Sequence, residues 1–275
     1  MKCLPANKAF LDTTVLANAV LKPKGEGTVA RSALKLFSEC LLPQYAVKEF
    51  KAGVLRNYIW LHTKAITLDD YADVMHALTK MWARPNLSAT SLRAIADFES
   101  SIANRLPADY ATRYPGETDG RIRKAELEIW LRTLIFRAWR KRRKIATMVR
   151  PLACYSEVDI KLSSKGLIDD APTDCGVDDC CLRSQFQNRL VDIRKMLAVF
   201  GELPRKPETG RRKEALDHIQ RTPRRQLSEK QCKALGDAVF VLQCPIGATL
   251  LTTNIADHLP LGRAIGLEVK RPSDV

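Results

Sequence analysis

Apolar positions follow two rhythms, short runs and helical stripes, and these alternate near both ends of the chain. Ala9 to Leu11 is a brief apolar run closed by Asp12, the mark of a strand buried in a parallel sheet. Thr13 and Thr14 suit the cap of a helix over 15–21, and Pro23 with Gly25 and Gly27 punctuates it. A helix over 30–40 is expected next, then a strand at Leu41 and Leu42 ended by Pro43. From Gln44 a helix carries Ala46, Val47 and Phe50 inward, with Glu49 about one and a half turns in. Residues 64–68 read as a short strand, and Asp69-Asp70 lead a helix through Tyr71, Val74, Leu78 and Met81.

Beyond residue 83 the pattern becomes helical and polar, with loops at Pro107, Pro115, Pro151, Gly166, Pro172, Pro204 and Pro207. Ser228 is a good N-cap for one continuous helix through Leu235, Ala238, Val239 and Leu242, stopped by Pro245 and Gly247. A buried strand at 248–253 follows, with Asn254 and Asp257 just past its end, and a short strand at 267–269 closes the chain. Strands alternating with helices predict an α/β fold, a parallel sheet flanked by helices in three layers, with a mainly helical inserted region. The expected division is a core in two pieces, 1–82 and 228–275, around an insertion at 83–227.

Composition narrows the class. An apolar fraction of 45% and a charged fraction of 28% are those of a water-soluble domain, and no apolar run reaches the roughly 20 residues of a membrane span. Lys2, Lys8 and Asp12 interrupt the N-terminus, which lacks a secretory signal's apolar segment, so a cytoplasmic location without membrane association is expected. Eight cysteines are too few for a disulfide scaffold, and the cluster Cys175, Cys180 and Cys181 lacks the paired spacing of a zinc knuckle. The net charge of +14 points to a polyanionic partner, nucleic acid before membrane.

Carboxylates supply the chemistry. In an open parallel sheet the working crevice lies outside the carboxyl ends of the strands, which is where Asp12 and Asp257 fall. Glu49 and Asp237 lie on helices that can flank that crevice, provided both turn inward. Singly, each acid has an ordinary role: Asp12 or Asp257 as a helix cap, Glu49 or Asp237 as a surface charge. Together, four converging carboxylates repel one another and call for a cation. An oxygen-only cluster suits Mg2+ or Mn2+, which generate a hydroxide nucleophile and clamp a phosphate.

The order of these acids carries a family likeness. Phe10-Leu-Asp-Thr-Thr-Val-Leu16 resembles the opening strand of PIN-domain nucleases, and Tyr45-Ala-Val-Lys-Glu49-Phe50 resembles their second motif. Gly236-Asp237-Ala-Val-Phe-Val-Leu242 is similar to the third, and Leu250-Leu-Thr-Thr-Asn-Ile-Ala-Asp257-His258 to the fourth. The resemblance covers about 8–81 and 228–269. It implies Mg2+- or Mn2+-dependent hydrolysis of phosphodiester bonds, RNA before DNA. Asp12, Glu49, Asp237 and Asp257 would be the catalytic and metal-holding residues, with Thr13 and Asn254 assisting. Many such proteins are toxins of toxin–antitoxin pairs, so a protein inhibitor or antitoxin is an implied partner. Three features depart from the pattern: Thr14 where Asn or Ser is common, His258 where Phe is usual, expected to loosen packing, and the long insertion, foreign to the compact toxins.

The insertion is basic. Leu127, Trp130, Leu131, Leu134, Ile135 and Ala138 form a helical apolar stripe, expected to bury Trp130 and Leu134 while Arg137, Arg140, Lys141, Arg142, Arg143 and Lys144 face a nucleic-acid backbone. A second basic stretch, with Arg211, Arg212, Arg224 and Arg225, precedes the helix of Asp237 and is placed to funnel a strand toward the acids. No Gly-rich phosphate loop and no Ser/His/Asp spacing is present. The sequence therefore points to a metal-dependent endonuclease. A DNA nuclease of the same chemistry and a non-catalytic nucleic-acid-binding protein on the same scaffold are the alternatives.

Overall fold

The apolar runs near the two ends of the chain become neighbours in one sheet. The computed structural model describes residues 7–80, 85–103, 110, 112–152, 159–169, 181–203, 205–222 and 227–275. Its strands are β1 (Lys8–Leu11), β2 (Glu39–Pro43), β3 (Thr147–Val149), β4 (Lys161–Leu162), β5 (Ile168–Asp169), β6 (Ala248–Leu251) and β7 (Val269–Lys270). Five of them form an all-parallel sheet in the order β3-β2-β1-β6-β7, flanked by helices. The α/β fold read from the sequence is the fold observed. Central position explains the composition of the inner strands: Ala9, Phe10 and Leu11 of β1 and all four residues of β6 are buried.

The chain divides into two compact units. One comprises Met1–Phe50, Lys141–Glu157 and Thr173–Val275 and contains the parallel sheet. The other comprises Lys51–Arg140 and Val158–Pro172. These cuts fall at other points than the sequence pattern marks. Residues 51–80 group with the helical unit, and β3, from within the expected insertion, pairs with β2.

Several local expectations are corrected. Residues 64–67 are the tail of a helix, Arg56–Thr67, and not a strand. Tyr58, Ile59, Leu61, His62 and Ala65 are buried at helical spacing, and the short apolar window is the end of that longer stripe. The helix expected over 30–40 runs instead from Glu26 to Leu34, and Glu39 already belongs to β2. The helix expected from Ser228 to Leu242 is two, Glu229–Leu235 and Asp237–Gln243. Gly236 separates them at φ 46° and ψ −124°, a backbone conformation that side chains other than hydrogen rarely permit.

In the helical unit, Phe98 is fully buried beneath Trp130 and Tyr71, with ring centroids at 5.9 and 6.3 Å. On the Asp119–Ile145 helix the fully buried positions are Leu127, Leu131, Ile135 and Ala138, with Trp139 nearly so, whereas Trp130 and Leu134 are only half-buried. The buried stripe thus sits about one residue round from the one expected. His62 in the same unit is fully buried, and neither ring nitrogen has a hydrogen-bond partner. Burial, reinforced by Arg132, pushes its pKa down from 6.5 to about 4.

A depressed histidine pKa means that the unfolded chain binds the proton more tightly, so stability present above pH 6.5 is lost as the pH falls toward 4. His62→Leu is expected to flatten that part of the profile in urea titrations at stepped pH. An unchanged slope would show that His62 does not govern it.

Candidate active site

The strand order reverses about β1: the chain proceeds outward through β2 and β3 on one side, and through β6 and β7 on the other. Such a switch point leaves a crevice at the carboxyl ends of the two central strands. Asp12 follows β1 there, and its N–H extends the ladder to the Leu251 carbonyl at 3.0 Å. Its carboxylate caps the Thr13–Leu21 helix, accepting from the Thr14 N–H at 3.1 Å, and also accepts from the hydroxyls of Thr14, at 2.9 Å, and Thr252. Thr252 is the residue after β6, so this bond ties the two strand ends together across 240 residues of sequence. Asp12 is thus both the cap that its position allows and a member of the acid group.

Glu49 turns inward. The Gln44–Phe50 helix starts directly after β2, and the Thr13 hydroxyl donates to Glu49 Oε2 at 2.7 Å. Tyr45, one turn earlier, also bonds this carboxylate, and its ring packs edge-on against Phe240. Burial raises the Glu49 pKa from 4.5 to about 7; the charges of Asp12 and Asp237 add to the rise, while the bonds from Thr13 and Tyr45 oppose it. Burial also drives the Tyr45 hydroxyl well above its usual range.

Asp237 and Asp257 share a cation. The guanidinium of Arg212 contacts Asp237 through Nη2 and stands 3.9 Å from Asp257 through Nη1. Lys206 Nζ lies 3.5 Å from the other oxygen of Asp257. Arg212 is only 5% exposed, and its place on the Pro207–Arg221 helix explains why. Thr209, Ala215, Leu216 and Ile219 are buried on the same face, so the apolar stripe read backward passes through residue 212. The expected role of Arg212 on an exposed basic face does not match this position.

His258 is fully buried, edge-on to Phe240. Its Nδ1 lies 2.9 Å from the Asn254 carbonyl, and Nε2 is 3.6 Å from Asp237, beyond hydrogen-bond reach. The departure from Phe therefore leaves the site packed and adds a polar ring to it. Asn254 precedes the Ile255–Ala264 helix that carries Asp257, and its N–H donates to Thr252 at 2.9 Å. Thr14, Tyr45, Thr252 and His258 lie within the motifs without an expected bond to the acids, and Lys206 lies outside them. The Thr-x-Asn-x-x-Asp-His run contained Thr252 and His258, but only packing reveals their bonds.

A divalent ion matches the oxygen chemistry of the acids but not their present arrangement. Among the described residues, no three His, Cys, Asp or Glu side chains form a group able to hold a metal. Arg212 takes the place of a cation between Asp237 and Asp257, and Asp12 and Glu49 use their oxygens on threonine hydroxyls. Crowding of the acids is relieved here by an arginine, a lysine and a raised Glu49 pKa.

Of the other expected nucleic-acid contacts, Arg137, Arg140, Arg143, Lys144 and Arg211 are exposed. Lys141 donates to the Ala19 carbonyl at 3.1 Å. Arg142 is buried, a correction to its expected exposure, because residues 127, 131, 135, 138 and 142 share one helix face. Arg224 and Arg225 lie outside the described residues, as do Cys175 and Cys180 and the side chain of Cys181. Among the described residues no helix is long and apolar enough to cross a membrane. Comparison with models of protein families, with curated proteins and with solved structures finds no match to this chain.

Two stability outcomes follow from this geometry. An acid whose folded pKa is raised contributes stability below pH 4.5 that is lost as the pH climbs through about 7. With EDTA present, Glu49→Gln should remove that decline and stabilise the chain at pH 8 by on the order of 2–3 kcal/mol, read from urea midpoints. Equal pH slopes in the two proteins would refute the assignment. Gly236→Ala should cost about 1–3 kcal/mol through its backbone conformation, since an added Cβ meets no atom closer than 3.5 Å.

Proposed function

We propose that the chain is a divalent-metal-dependent endonuclease that hydrolyses phosphodiester bonds, with RNA as its substrate. One observation supports this reading: Glu49 lies within electrostatic reach of Asp12 and Asp237, and Arg212 bridges Asp237 and Asp257, beside the carboxyl ends of the central strands. Their order along the chain, and the PIN-like motifs around them, favour nuclease chemistry over other uses of such a cluster. Mg2+ or Mn2+ is the ion that an oxygen-only set suits. Arg212 must be displaced before Asp237 and Asp257 can serve one. Within the unit that holds the acids, the exposed basic residues Arg143, Lys144 and Arg211 would grip the strand backbone without reading bases.

A second reading has its own support in the same place. Arg212 and Lys206 already neutralise two of the acids, as a scaffold that binds nucleic acid without cutting it would require. Labelled single-stranded RNA, single-stranded DNA and duplex, each incubated with Mg2+, Mn2+ or EDTA, separate the readings. The nuclease cuts RNA first and only with metal, and Asp12→Asn lowers its rate by roughly a hundredfold or more. Undiminished cleavage by Asp12→Asn would overturn the site. Salt-sensitive binding with no cleavage in any metal would establish the scaffold, and preferential cutting of DNA would reassign the substrate. An inhibitor protein of the antitoxin kind remains the partner that the motifs imply.

A further inference from the structure

Beside the acid pair lies a cavity of about 560 Å3 between the Pro207–Arg221 and Glu229–Leu235 helices. Arg211, Arg212, Lys230 and Lys233 line it, and the single lining acid, Glu208, pairs with Arg211 at 3.0 Å. Four cations against one acid leave the concave wall with a net positive charge, which suits an oxyanion. A second observation concerns Arg212 itself. Its Nε and Nη1 are buried and make no hydrogen bond, although Asp257 lies 3.9 Å from Nη1. A buried guanidinium with two unsatisfied nitrogens is costly, and since neither nitrogen is open to the cavity, an oxyanion there could satisfy them only once the guanidinium turns toward it. Arg212 thus belongs to two neighbourhoods, lining the cavity while bridging Asp237 and Asp257.

We propose that this cavity binds a backbone phosphate of a nucleic-acid strand, and that the phosphate competes with Asp237 and Asp257 for Arg212. A seated phosphate draws the guanidinium toward the cavity and uncovers the two acids. The binding half of the inference stands on the cavity and on Arg212. The uncovering half rests on the nuclease reading, in which the acids are needed for a metal. Competition is reciprocal: whatever weakens the hold of the acids on Arg212 must tighten phosphate binding.

The test uses the full chain in EDTA, so that its outcome is independent of catalysis. Inorganic phosphate is titrated by calorimetry, and a single-stranded RNA oligonucleotide then competes for it. Arg211→Ala/Lys230→Ala, changing two exposed side chains, should weaken phosphate binding roughly tenfold, as loss of charge-assisted bonds does. Asp237→Asn should tighten it by about five- to tenfold, with Asp257→Asn as the companion variant should the first fail to fold. In an Arg212→Gln background that gain should vanish, which a mere reduction of negative charge would not produce. Wild-type affinity in Arg211→Ala/Lys230→Ala, no tightening in either acid variant, or a gain that survives Arg212→Gln would overturn the proposal. Phosphate binding that the oligonucleotide does not displace would overturn the assignment to a strand. If phosphate binds as expected but no metal supports cleavage, the site stands and the nuclease reading alone falls.

Discussion

The parallel pairing of β1 with β6 is the constraint on which the acid site depends. It sets Leu11 opposite Leu251, so that Asp12 and Thr252 emerge side by side at one edge of the sheet. Ladder bonds and buried apolar side chains hold that register, and a shift of one residue would exchange the side chains packed on the two covered faces of the sheet. β2, on the other side of β1, delivers the Glu49 helix without an intervening loop. The helix of Asp257 starts just after β6. Three of the four acids are thus positioned by strand ends, and only Asp237 needs a separate helix brought alongside.

Charge governs what that geometry can tolerate. Four carboxylates in a shared, partly buried space are unfavourable without compensation. Compensation comes in three forms: threonine hydroxyls on Asp12 and Glu49, a raised pKa at Glu49, and the cations Arg212 and Lys206 on the remaining pair. Each is weaker or more easily reversed than coordination to a divalent ion. Arg212 contacts both members of that pair, and removing one partner from a buried ionic group leaves the others uncompensated, typically at about 3–5 kcal/mol.

Much of the site could be read from residue order because its parts are local. An apolar run ending in Asp12, a strand followed by Asn254 and Asp257, and Glu49 on an apolar helix each show their character within ten residues. The parts that escaped are set by tertiary packing. Residues 64–67 have strand-like composition yet end a helical stripe begun at Tyr58. Gly236 breaks a helix that propensity alone would continue. Charge alone groups Arg142 and Arg212 with their exposed neighbours, whereas the helical period through Ala138, and through Ala215 and Ile219, turns both inward. For those two arginines, periodicity was the better guide than composition.

The short Asp237–Gln243 helix has a mechanical consequence. At its end, Arg189 donates to the Leu242 carbonyl at 2.8 Å and Arg150 to the Gln243 carbonyl at 3.2 Å. Its start is set by the turn at Gly236, and its six residues after Asp237 are buried. Held at its far end by two arginines and buried along its length, the helix is a firm support for Asp237. Arg212, only 5% exposed, reaches Asp237 from another helix through a long side chain with several rotatable bonds. Under the proposed displacement by phosphate, the guanidinium is the bolt of a latch and the buried helix its keeper.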